Sequence, residues 1–167
     1  VLIPESALPA FTILHVGISL AAIASGFVVL FGMIGDKRLE GWTAFFLATT
    51  VATSVTGFGF PIKGITPGIV FGIISLAVLA PVIFARYPGH LAGIWRGVYV
   101  IGAVVAFFLN FVVLIVQSFQ KVPALNALAP KGNEPPILAV QVVSLVAFLV
   151  LGTLAFKRFR GAPITLA

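Results

Sequence analysis

Residues 94–119 read IWRGVYVIGAVVAFFLNFVVLIVQSF, and Arg96 is the only charged side chain among them. At 1.5 Å per residue, such a helix is long enough to cross a hydrocarbon core of about 30 Å. No water-facing helix of that length carries so little charge, so the stretch reads as a membrane span and sets the solvent for the rest of the chain. Four more apolar stretches flank it, at residues 10–33, 42–60, 67–84 and 137–156. All four acidic residues, Glu5, Asp36, Glu40 and Glu134, fall between or outside these stretches. The expected fold is all-α: a polytopic transmembrane helical bundle of five spans forming one domain over residues 1–167.

Composition agrees with that reading. Hydrophobic residues make up 60% of the 167 and charged residues 8%, with mean hydropathy +1.21, whereas soluble domains carry roughly 25% charge. The formal charge of +6 comes from basic residues at span ends and is no signature of nucleic-acid binding, because no basic face interleaved with aromatics exists. With no cysteine, disulfides, iron–sulfur clusters and thiolate zinc sites are excluded. The first span lacks a basic leader and is longer than a secretory apolar core, so it reads as a retained span.

Orientation follows from the basic residues on alternate sides. Lys37, Arg38, Arg86, Arg96, Lys157, Arg158 and Arg160 share one face, against Lys63, Lys121 and Lys131 on the other. Cytoplasmic loops retain Lys and Arg, so the N-terminus is expected outside and the C-terminus in the cytoplasm. Trp42, Trp95, Arg96, Lys157, Arg158 and Arg160 are the interfacial anchors. Pro67 opens span three, where its missing N–H is tolerated, and Pro81 predicts a kink near that span's end. Residues 86–90 form the next loop. The outer connector, residues 120–136, holds four prolines and is expected to pack over the bundle or to act as a docking surface.

Helices in lipid associate through small residues and interhelical hydrogen bonds. Gly26, Ser54, Gly57, Gly68, Gly72, Ala103 and Gly152 are therefore candidate packing positions. Counting about 1.5 Å per residue from the outer span ends puts Gln117 roughly 3 Å deep, Thr56 and Gln141 roughly 6 Å, His15 about 8 Å and Asn110 about 13 Å. Together with Thr53, these residues form a candidate polar layer on the outer side. Two readings stand for that layer: interhelical hydrogen bonding that fixes register, or a small outward-facing cavity for a solute, a lipid headgroup or a quinone-type ring.

His15 is the one ionisable side chain expected well inside a span, which invites a functional reading. His90 falls on the opposite face, so one haem held by both histidines is disfavoured; a haem or pigment on His15 alone remains open. No H-E-x-x-H, G-x-S-x-G or Walker loop is present, and no carboxylate lies within a span to couple transport to ions. No metal site and no specific cofactor are expected, and bound lipid is.

The stretches GWTAFFLATTVATSVTGF (residues 41–58) and VPALNALAP (residues 122–130), with Glu134-Pro135-Pro136, resemble a family of small, uncharacterised polytopic inner-membrane proteins of proteobacteria. The resemblance covers most of the chain and implies a bacterial inner-membrane location; it brings no activity and no site residues. The expected role is a non-enzymatic accessory or packing subunit, associating with itself or with other membrane subunits and with lipid. An uncoupled channel or small-solute transporter is the alternative, and a haem- or pigment-bearing redox subunit through His15 the third reading.

Overall fold

A computed structural model describes residues 3–61, 64 and 67–161. Lys63, counted above on the less basic face, lies outside them. A 3-10 turn, Glu5–Ala7, leads into α1 (Leu8–Ile34). α2 (Glu40–Gly57), α3 (Pro67–Arg86), α4 (Ile94–Lys121), the single turn α5 (Pro123–Asn126) and α6 (Pro135–Arg158) follow, and the described residues contain no strand. α1, α3, α4 and α6 are long and apolar enough to cross a membrane. α2 falls outside that set because its threonines and the opening Glu40 dilute its apolar content.

Prolines start several helices. Pro9, Pro67, Pro123 and Pro135 all sit in first turns, where an N–H would have no intrahelical partner in any case. α3 continues through Pro81 to Arg86, two residues beyond the expected end of the span. A cation suits the last turn of a helix, where carbonyls gather partial negative charge.

Five helices close into a ring, α1–α2–α3–α4–α6 and back to α1, with α1 and α4 also meeting across the middle. Phe107 of α4 occupies the centre. Its ring lies 4.8 Å from Phe27, 4.9 Å from Phe148, 6.2 Å from Phe46 and 6.4 Å from Phe111, mostly edge to face, an arrangement that suits the ring quadrupoles. Gly26 makes room for it: a Cβ there would stand 2.6 Å from Phe107 Cδ2. Val82 seats on Gly102 in the same way, Val104 on Gly152 and Phe58 on Gly72.

The connector after α4 packs on the bundle. Ala129 and Ile137 are buried with Ile115 and Phe119, and Leu125 lies against them. Asn126 Nδ2 donates to the Phe119 carbonyl at 3.2 Å. Glu134 closes the turn, accepting the N–H of Lys131 at 2.8 Å and of Asn133 at 3.0 Å.

Candidate functional site

Two polar regions lie at opposite ends of the bundle. Toward the start of α1, His15 Nδ1 lies 2.7 Å from Thr56 Oγ1 on α2. The direction of this bond follows from proton supply. Thr56 spends its one hydroxyl proton on the Ala52 carbonyl at 2.7 Å, with a longer 3.2 Å approach to Thr53 O. Its oxygen must therefore accept from His15, which assigns the proton to Nδ1 and leaves the Nε2 lone pair unused. The His15 carbonyl accepts from Ser19, and the ring meets the edge of Phe60 at 5.1 Å, which in turn packs on Phe11.

The other members of the outer layer are placed differently. Asn110 is buried on α4, and among the described residues neither its Nδ2 nor the sealed Thr53 Oγ1 has a partner. Gln117 is exposed. Gln141 borders an open groove of about 240 Å³ with Phe108, Val112, Leu138, Val142 and Leu145 on the flank of α4 and α6. Among the described residues, no hydrogen bond joins His15 to Asn110 or Gln141; the structure brings together His15 and Thr56.

Of the packing positions, Gly26, Ser54 and Ala103 are buried, Gly57, Gly72 and Gly152 half-buried and Gly68 exposed. Trp42 is half-exposed, while Trp95 stacks on Phe84 at 4.7 Å. Lys157, Arg158 and Arg160 are exposed.

The opposite end holds an ionic cluster that no sequence motif announces. Arg86, at the end of α3, is 2% exposed. Its Nη2 lies 2.9 Å from Glu40 Oε2 and donates to the Arg38 carbonyl at 3.0 Å, while its guanidinium faces the Tyr99 ring at 5.2 Å. Glu40 Oε1 pairs with Arg38 Nε at 2.9 Å, so one carboxylate bridges two arginines. The Arg38 contact is ionic; it lacks the alignment of a hydrogen bond. Nε and Nη1 of Arg86 have no acceptor. Thr43 donates to the same Arg38 carbonyl at 3.1 Å, which leaves the Tyr99 hydroxyl as donor in their 3.4 Å contact.

The segment after α6 completes this end. Arg96 Nη1 donates to the carbonyls of Phe156 and Phe159, at 2.9 and 2.6 Å. The Arg160 N–H donates to Asp36 Oδ1 at 2.7 Å, and Phe159 is buried against Tyr99 at 5.7 Å. Four loops or ends that are far apart in sequence are thereby tied together.

No family model, curated protein or solved structure matches this chain.

Chemically, His15 and Thr56 pair an imidazole with an alcohol, but with the proton on Nδ1 the ring lone pair is turned away from that oxygen. The described residues hold no group of three His, Cys, Asp or Glu near enough to bind a metal ion. His15 is half-buried, and His90 sits exposed in the loop at the other end. Sequence spacing placed His15 and Thr56 at one depth. It missed the Arg38–Glu40–Arg86 bridge, whose one available signal was a pair of loop arginines near a lone glutamate.

Proposed function

We propose that this chain is a non-enzymatic integral membrane protein of a bacterial inner membrane, with five spans, N-terminus outside and C-terminus in the cytoplasm. Its role is that of an accessory or packing subunit, in a homo-oligomer or a larger membrane complex. The filled axis carries this reading: Phe107 and its four aromatic neighbours occupy the place where a conducting path would run. Val142, Val143, Val146, Leu149 and Val150 turn an aliphatic face of α6 outward, available to lipid or to another helix.

The fifth crossing is α2. It is about 27 Å long at 1.5 Å per residue and lies against α1 from Leu39, seated on Gly32, to the Thr56–His15 bond. Its Thr43, Thr50 and Ser54 are turned into the bundle, so part of the low apolar content reflects buried positions. The basic end holds Lys37, Arg38, Arg86, Arg96, Lys157, Arg158 and Arg160, which supports a cytoplasmic assignment.

Purification from native membranes in mild detergent, with mass spectrometry of everything that co-elutes, tests the role. Stoichiometric partner chains or a stable homo-oligomer are expected. A partner-free monomer that still conducts solute in liposomes would contradict it. A second reading rests on the unused Nε2 lone pair of His15: a haem or pigment bound there gives visible absorbance that His15→Ala removes. A colourless preparation from the native membrane ends that reading.

A further inference from the structure

We propose that two copies of this chain pair side by side along α6, with the Gln141 amide of each hydrogen-bonded to the Gln141 amide of the other. This rests on the accessory-subunit reading and names a second copy as its partner. Among the helices, α6 packs on α1 and α4 alone. Of the four helices apolar enough to cross a membrane, it buries the smallest share of its residues. Ser144, Phe148 and Ala155 mark its inward line, while Val142, Val143, Val146, Leu149 and Val150 are each more than half exposed. Lipid chains and a partner helix cover such an aliphatic face equally well, so these residues do not choose between them.

Gln141 decides it. The residue is half-buried about 6 Å inside the span, in the groove of about 240 Å³ walled by Phe108 and Val112 of α4 and by Leu138, Val142 and Leu145 of α6. The other polar side chains of this membrane stretch, Ser144 and Thr153, each donate at 2.7 Å to the carbonyl one turn back. Gln141 makes no such bond, and its amide has no partner among the described residues. It carries two N–H donors and a carbonyl acceptor, and the groove walls offer it neither. In hydrocarbon, an amide of this kind is stabilised by a polar group on a neighbouring helix.

Membrane geometry makes the second copy the fitting partner. Both copies cross the bilayer in the same sense, so the two-fold axis that relates them is normal to the membrane, and identical residues meet at one depth. An amide is donor and acceptor at once, so Gln141 closes two reciprocal bonds with its own counterpart. Leu138, Val142 and Leu145 of one copy then fill the groove of the other against Phe108 and Val112, and they exclude lipid from the bonds.

The cysteine-free chain allows a direct test in its native membrane. Single cysteines at Leu138 and Leu145, one turn to either side of Gln141, and a control at the exposed Ile73 of α3 are oxidised with copper phenanthroline. Disulfide-linked dimers through positions 138 and 145, and none through 73, are expected. In neutral detergent, Gln141→Leu should weaken dimerisation about tenfold, in keeping with two interhelical hydrogen bonds, and should leave the monomer's thermal midpoint in place because leucine suits lipid. Gln141→Asn, which keeps the amide, should retain part of the affinity. Dimers linked through 73 in place of 138 and 145, or a folded Gln141→Leu chain that dimerises like the parent, overturn the proposal. A monomer that co-elutes with stoichiometric other chains overturns it and leaves the accessory-subunit reading standing, whereas a monomer without partners overturns both.

Discussion

Thr50 is fully buried, and its hydroxyl has no partner. A buried polar atom left unbonded costs about 1–3 kcal/mol, so Thr50→Val, which keeps the shape, is expected to be neutral or stabilising by up to about 1 kcal/mol in detergent unfolding. A large loss would mean that Thr50 has a partner of its own. At the other polar pair, Thr56→Val takes the acceptor from His15 Nδ1–H. A loss of about 0.6–2 kcal/mol is expected, in the range of interhelical hydrogen bonds in membranes. Nitrogen-15 NMR of the parent should show a protonated Nδ1 and an unprotonated Nε2; the opposite tautomer would contradict the bond direction. Glu40→Gln leaves Arg86 buried without its counter-ion and is expected to cost about 1–3 kcal/mol, whereas the charge it removes is itself largely exposed. The His15–Thr56 match was legible because both residues project to one depth on neighbouring helices. Arg86 was not: its carbonyl acceptor lies 48 residues away, and a cation at a helix end looks like a loop residue when its partners are unknown.

Among the elements, the α1–α4 crossing depends on a glycine opposite a ring. Gly26→Ala puts a methyl 2.6 Å from the Phe107 ring, and overpacking of this kind costs about 1–3 kcal/mol. Phe107→Ala, which empties the centre, should cost about 3–5 kcal/mol. If Gly26→Ala were neutral while Phe107→Ala were costly, the crossing would have more slack than the contact allows. The connector offers a pH test. Desolvation of the Glu134 carboxyl pushes its pKa up, but the backbone N–H groups around it, those of Lys131 and Asn133 among them, together outweigh this and hold it below the usual carboxylate value. A depressed pKa contributes order that is present above the unfolded value and lost as pH falls through the folded one. The midpoint at which the Lys131 and Asn133 amide resonances move should therefore lie below that of an unperturbed carboxylate, and Glu134→Gln should remove the transition. Helix was readable in the long apolar stretches of the described residues because lipid demands long apolar helices. Element ends were less so: α3 continues to Arg86, whose carbonyl and carboxylate partners belong to a distant loop and to the first residue of α2.

At the level of the molecule, the same physics accounts for what sequence shows and what it hides. Four helices are apolar enough to be recognised singly. α2 is less apolar, since Glu40 and its threonines lower its hydropathy, although Thr43, Thr50 and Ser54 are buried in the bundle. The ring of helices is filled rather than hollow because Phe27, Phe46, Phe111 and Phe148 converge on Phe107, a three-dimensional outcome that spacing along one helix does not encode. Everything proposed for function depends on α2 crossing from one face to the other. The absence of cysteine makes the deciding measurement simple. Single cysteines at Lys37, Gly64, His90 and Gly132 would be labelled in intact spheroplasts with a membrane-impermeant maleimide. Labelling at positions 64 and 132, with positions 37 and 90 labelled only after lysis, is the result this account expects; positions 37 and 64 responding together would remove α2 as a span and contradict it.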